Sequence, residues 1–143
     1  MAFQPAALVL LYFVLPLWLL AGLGDWFCHR ATDIEHTTGA KESVIHLLMF
    51  AEGGTALVAG LLLDIDALMI ALFIVLFALH AVTRLVGDRL RQSAPRHHRR
   101  RAAHPRLLRS TPLIALVLVL ILHWPQFLAL IGRGAEPARF ALA

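Results

Sequence analysis

Between Ala6 and Gly24 the chain reads AALVLLYFVLPLWLLAGLG, without one charged residue. A short water-soluble fold cannot hide such a run, because too little polar surface would remain to cover it. A helix rises about 1.5 Å per residue, so the run is long enough to cross about 30 Å of hydrocarbon. Three further stretches share this property, residues 43–63, 65–86 and 111–131. Their apolar residues come in blocks and not in alternation, which selects membrane helices over half-buried strands. A hydrophobic content of 59% and a mean hydropathy of +0.75 agree. The expected fold class is all-α, an integral membrane four-helix bundle forming a single domain over residues 1–143.

The boundaries of these spans follow from local chemistry. A secretory signal peptide is the rival reading of the first. No Lys or Arg precedes it and no A-x-A site follows, so it reads as a retained helix kinked at Pro16. The corner Asp64-Ile65-Asp66 joins the second and third spans as an antiparallel hairpin. In the fourth, Ser110 or Thr111 is placed to cap the helix, with Pro112 just inside its start. His123, Trp124 and Pro125 interrupt its outer half.

Charge orients the spans. Nine arginines lie between Thr83 and Thr111 against one acid, Asp88. The positive-inside rule places this loop, residues 87–110, in the cytoplasm. With four spans, residues 25–42 share that side and both termini lie outside. The same arginines suit anionic lipid headgroups. They lack the interleaved aromatics that stack on bases, so nucleic acid is not expected as a partner. The single cysteine, Cys28, excludes an internal disulfide.

The polar residues that remain are concentrated near the cytoplasmic ends of the spans. Asp25 and His29 are four apart after the first span, and Glu42 and His46 four apart at the start of the second. Between them, Asp33-Ile34-Glu35-His36 forms a D-x-x-H. Glu52 and His80 stand inside the second and third spans. At 1.5 Å per residue they fall about 13–15 Å and about 9 Å from the cytoplasmic ends of their helices. All these groups are therefore expected to meet in the inner half of the bilayer. Glu52 is the most telling, since a titratable group in hydrocarbon costs about 2.5–3.5 kcal/mol even on the lenient insertion scale. A cation offsets that cost, and carboxylate with imidazole and no cysteine pair suits iron or manganese. The expected ligands are His29, Glu35, Glu42, His46, Glu52 and His80. Asp25 and His36 either join them or orient them.

The pattern Asp25…His29-Arg30…Glu35…Thr38-Gly39…Glu42-Ser43…His46 resembles small bacterial inner-membrane proteins. More loosely, residues 25–80 and the cluster His97, His98, His104 resemble the histidine-rich membrane di-iron hydroxylases and desaturases. The chain lacks their H-x-x-x-H and H-x-x-H-H boxes. That resemblance implies two non-haem irons on the cytoplasmic side, an oxygen-dependent oxidoreductase acting on a lipid or membrane-soluble substrate, and reductant from a separate redox partner.

Each signal has a plainer reading. His46, Glu52 and His80 also suit an interhelical hydrogen-bond cluster. His29, Glu35 and Glu42 also suit a solvated, helix-capping loop, and His97, His98 and His104 read best as loop histidines. His123 reads as structural. Two alternatives to the di-iron enzyme follow. One is a b-type cytochrome with His46 and His80 as axial haem ligands, or another divalent metal in their place. The other is a non-enzymatic accessory subunit of a larger membrane assembly.

Overall fold

A computed structural model describes residues 5–31, 40–93 and 106–141. Among these residues every regular element is helical. The first helix begins as α1 (Pro5–Val9), widens into a π-helical turn (Leu10–Val14) and continues as α2 (Leu15–Ala31). The π turn sits just before Pro16, where the sequence predicts a kink. Proline has no N–H and its ring crowds the carbonyl four residues back, at Tyr12. The wider turn removes that conflict, with the Leu15 N–H donating to Leu10 O, five residues back.

The next two helices are α3 (Ala40–Leu62) and α4 (Ala67–Ser93). At the corner between them they stop and start one and two residues inside the predicted spans, but both run past those spans at the other end. In particular, α4 runs seven residues beyond the expected end at Val86. Arginine and glutamine are good helix formers, so α4 continues through Arg89, Arg91 and Gln92 once its apolar part has been covered. The last pair is α5 (Arg106–Leu122) and α6 (Trp124–Leu130). Because α5 starts at Arg106, neither Ser110 nor Thr111 is its cap, and Pro112 lies inside the helix. That corrects the expected start of the fourth span.

Among the described residues three helices are long and apolar enough to cross a membrane: Pro5–Gly24, Val44–Leu62 and Ala67–Leu90. The fourth stretch is not one straight span. Ser110–Leu122 and Trp124–Leu130 meet at a bend of 94°. The break falls at His123, beside Pro125 at the start of α6. Pro125 cannot donate to Ile121 O, and its ring would clash there, so α5 stops and a new helix starts in a new direction.

Helix α4 is the hub. It packs most extensively on α3, and also on α5 and α6, while the π turn and α1 pack on α5. Close approach between α3 and its neighbours is set by small residues, as expected where helices associate through contact rather than through exclusion of water. A methyl at Gly53 would lie 2.7 Å from the Trp18 ring, and one at Gly60 3.3 Å from Phe73. Most large apolar side chains are exposed, among them Phe13, Leu20, Leu47, Phe50 and Leu62. The described core is small and lies mainly at the start of α4: Ala67, Met69, Ile70 and Phe73, with Val14. Apolar outside and sparse inside is the distribution of a chain whose solvent is lipid.

That core is closed by the C-terminal tail. Asp66 is the N-cap of α4, and its Oδ1 accepts from the Met69 N–H at 3.1 Å. Its Oδ2 accepts from the Ala141 N–H at 2.9 Å, and the Leu68 N–H donates to Arg139 O at 3.3 Å. The tail reaches this point because α6 ends in a Schellman turn. Gly132 sits at φ +71°, Arg133 N–H donates to Leu128 O and Gly132 N–H to Ala129 O. Gly134 then passes against the α6 backbone, where a methyl would lie 2.8 Å from Ala129 N.

Candidate functional site: a polar pair between two membrane helices

Close contacts along α3 and α4 fix their register. A methyl at Gly87 would lie 3.2 Å from Ile45 Cγ2, and Gly60 lies against Phe73. The helices are antiparallel, and this register brings Glu52 level with His80. The two side chains meet: His80 Nδ1 lies 3.3 Å from Glu52 Oε2. Thr83, one turn further along α4, donates its hydroxyl to Glu52 Oε1 at 2.7 Å. Glu52 and His80 are both mostly covered, with 14% and 16% of their side-chain surfaces exposed. Glu52 is eight residues from Val44 and ten from Leu62, the ends of its apolar window, or about 12 Å and about 15 Å. It therefore lies close to mid-span, slightly nearer the Val44 end.

Of the remaining sequence candidates only His46 has a described side chain, and it does not join this pair. His46 is six residues before Glu52 on the same helix, about 9 Å along the axis and about a third of a turn around it. That separation corrects the expectation that His46, Glu52 and His80 form one cluster. His46 and His80 are not level in this register either. Asp25 and His29 lie on α2, which does continue past Gly24, so the two positions are one turn apart. Glu42 lies in the first turn of α3. The side chains of Asp25, His29 and Glu42 are outside the described residues, as are Glu35 and His36 entirely. His97, His98 and His104 are likewise outside them. Among the described residues no three His, Cys, Asp or Glu side chains come together as a metal-binding group.

Two functional contacts escape the sequence reading. Thr83 marks only the edge of the arginine loop there, yet it supplies the shortest hydrogen bond to Glu52. Its signal is its place three residues after His80, on the same helical face. Gln126 is the other. It is buried at 4% exposure, accepts from the Arg139 N–H at 3.1 Å, and donates to Glu136 Oε2 at 3.3 Å and Pro137 O at 3.5 Å. An isolated glutamine in an apolar run is the available clue.

Outside the spans, Asp66 is the one carboxylate among the described residues with a marked electrostatic setting. Burial alone pushes its pKa up. The N–H groups of Ala141, Met69 and Leu68, with the positive charge of Arg139, outweigh burial and hold it below the usual aspartate value.

The fold and site define a class: an all-helical chain with several helices fit to cross a membrane and a carboxylate–imidazole pair held between two of them. No protein family, curated protein or solved structure matches the chain.

Proposed function

We propose that this chain is a small integral membrane protein of the accessory, non-enzymatic kind, with Glu52, His80 and Thr83 as an interhelical latch. The single observation that carries this is the state of Glu52. One carboxylate oxygen accepts from Thr83; the other is buried without a hydrogen bond, 3.3 Å from His80 Nδ1, so an imidazolium there would offset its burial. An interhelical hydrogen bond in a membrane stabilises by about 0.6 kcal/mol on average and about 1.7 at most. The latch is thus worth little in energy but much in register, because sliding α3 past α4 would leave Glu52 in hydrocarbon without its partners. The bundle is a four-helix one whose fourth span is α5, with α6 following it beyond the bend. Its arginine loop is cytoplasmic and its hairpin corner at Leu63–Asp66 is on the far side.

A second reading is favoured by the chemistry of the same contact. A carboxylate beside an imidazole on facing helices is half of a metal site for iron, manganese or another divalent ion. A di-iron oxidoreductase would need its other ligands from Asp25, His29, Glu35, His36, Glu42 or His46, brought in from the ends of α2 and α3. It would also need a lipid-soluble substrate and a separate redox partner.

One experiment separates the readings. The detergent-purified protein is analysed for metals and by optical spectrum, and melted with and without chelator, alongside Glu52→Gln, Glu52→Ala and His46→Ala. The latch predicts no stoichiometric metal, no effect of chelator and a folded Glu52→Gln. About two irons per chain, lost in Glu52→Ala and His46→Ala, would overturn it in favour of the metal centre, and a Soret band would overturn both.

A further inference from the structure

The short helix α6 is built inside out. Its one polar side chain, Gln126, is buried and holds the tail, whereas Trp124 and Ile131, at its two ends, are each 49% exposed. At 3.6 residues per turn, Trp124, Phe127, Leu128 and Ile131 fall on one stripe, i, i+3, i+4 and i+7, opposite Gln126. Trp124 and Phe127 are in contact, ring centroids 5.3 Å apart. Arg133 follows the stripe two residues after Ile131, and the tail beyond it carries Arg139 and Phe140; all three are exposed, Phe140 at 61%. Helix α6 stands at 94° to α5 and packs on α4, whose first turn the tail closes. If α5 runs along the membrane normal, α6 lies in the membrane plane at the end of the bundle.

We propose that α6 and the tail form an interfacial cap, with the Trp124–Ile131 stripe set in the bilayer at the glycerol level and Arg133 and Arg139 against lipid phosphates. The bent pair is then neither a straight span nor a loop that re-enters the hydrocarbon. Three features on this element select lipid as the occupant. An apolar stripe exposed at Trp124 and Ile131 and half-buried at Phe127 and Leu128, an amphipathic tryptophan at its start and exposed arginines after its end are what a helix lying in the interface presents. This rests on the membrane reading above, and its test is arranged so that the two fail differently.

The test places Trp124 as the only tryptophan, in a Trp18→Phe, Trp26→Phe chain, in phosphatidylcholine–phosphatidylglycerol vesicles whose acyl chains are brominated at graded depths. Flotation of the protein with the vesicles checks the membrane reading first, and a chain that stays in the aqueous fraction refutes that reading. In floated protein, the shallowest bromines are expected to quench Trp124 at least two-fold more than the deepest. Strongest quenching by the deepest bromines would make the segment re-entrant and overturn the proposal. Quenching by aqueous iodide alone, or by neither agent, would place the stripe in water or under a protein partner and overturn it equally. Because Trp18 packs on Gly53, a second measurement leaves all three tryptophans in place. A spin label at Ile131→Cys in a Cys28→Ser chain is expected to relax with both oxygen and an aqueous nickel chelate. Relaxation by oxygen alone or by nickel alone would overturn the cap.

Discussion

Replacing Asp66 by alanine removes two hydrogen bonds made by one carboxylate, and their separate worth can be worked out. Oδ1 caps α4 through the Met69 N–H, in a site where Asp66 is only 4% exposed. Losing an N-cap side chain costs about 0.5–2 kcal/mol. Oδ2 holds the tail through the Ala141 N–H. A hydrogen bond to a charged group contributes about 1.5–3 kcal/mol, and the lower end applies because Ala141 is exposed and its N–H regains water. Asp66→Ala should therefore destabilise the protein by about 2–4 kcal/mol. Asp66→Asn keeps a carbonyl oxygen for the cap but presents an amide nitrogen to Ala141, so it should lose only the tail bond, about 1–2 kcal/mol. The assay is reversible unfolding in mixed micelles followed by circular dichroism. It is paired with the rate at which trypsin cuts after Arg139, read from the mass of the released C-terminus. Both variants should release the tail faster than the wild type, and only alanine should also lower the stability of α4. Equal cutting rates in all three proteins, or an alanine effect below about 0.5 kcal/mol, would refute the strap.

The same carboxylate sets a pH dependence. Its native pKa is depressed, so its contribution is complete above the ordinary aspartate value of about 3.9 and is lost as pH falls through the lower native value. The stability gap between the wild type and Asp66→Asn should narrow over that acidic window in pH-dependent unfolding. Thr83→Val should cost about 0.6–1.7 kcal/mol in the same assay, and Glu52→Gln less than Glu52→Ala because the amide oxygen still accepts from Thr83. Gly53→Leu should lower the melting temperature by displacing Trp18, while Gly54→Ala, which meets nothing within 4 Å, should be neutral or stabilising. Gly134→Ala should loosen the tail without affecting α3 or α4, which tail proteolysis and circular dichroism together would show.

Much of the architecture is legible in the chain itself, for a physical reason. In lipid every backbone N–H must be satisfied within its own segment, so a long uncharged run can only be a helix. That argument depends on composition and length alone, and it locates α1–α2, α3 and α4 without any knowledge of packing. Pro16 and Pro125 also act locally, through a missing donor and a steric clash, and both mark departures from a straight helix. The ends of the helices are less legible. The continuation of α2 to Ala31 and α4 to Ser93 depends on helix propensity outside the membrane, where apolar content no longer decides.

Side-chain encounters are decided by tertiary structure. Spacing in sequence sets His46 about 9 Å from Glu52 along one helix, but only the register of α3 against α4 selects which of them His80 touches. That register is set by the close contacts at Gly60 and Gly87, and it pairs Glu52 with His80 and Thr83 while leaving His46 about 9 Å away along the helix. The tail is the clearest case. Asp66 and Ala141 are 75 residues apart, and nothing local to either announces the bond between them. It exists because Pro125 turns α6 across the bundle, Gly132 reverses the chain and Gln126 holds it there. The sequence by itself determined that this protein is helical and where it is apolar, since those follow from the solvent. Which polar groups meet, and how the open end of the bundle is closed, follow from packing between distant segments and were decided only by the fold.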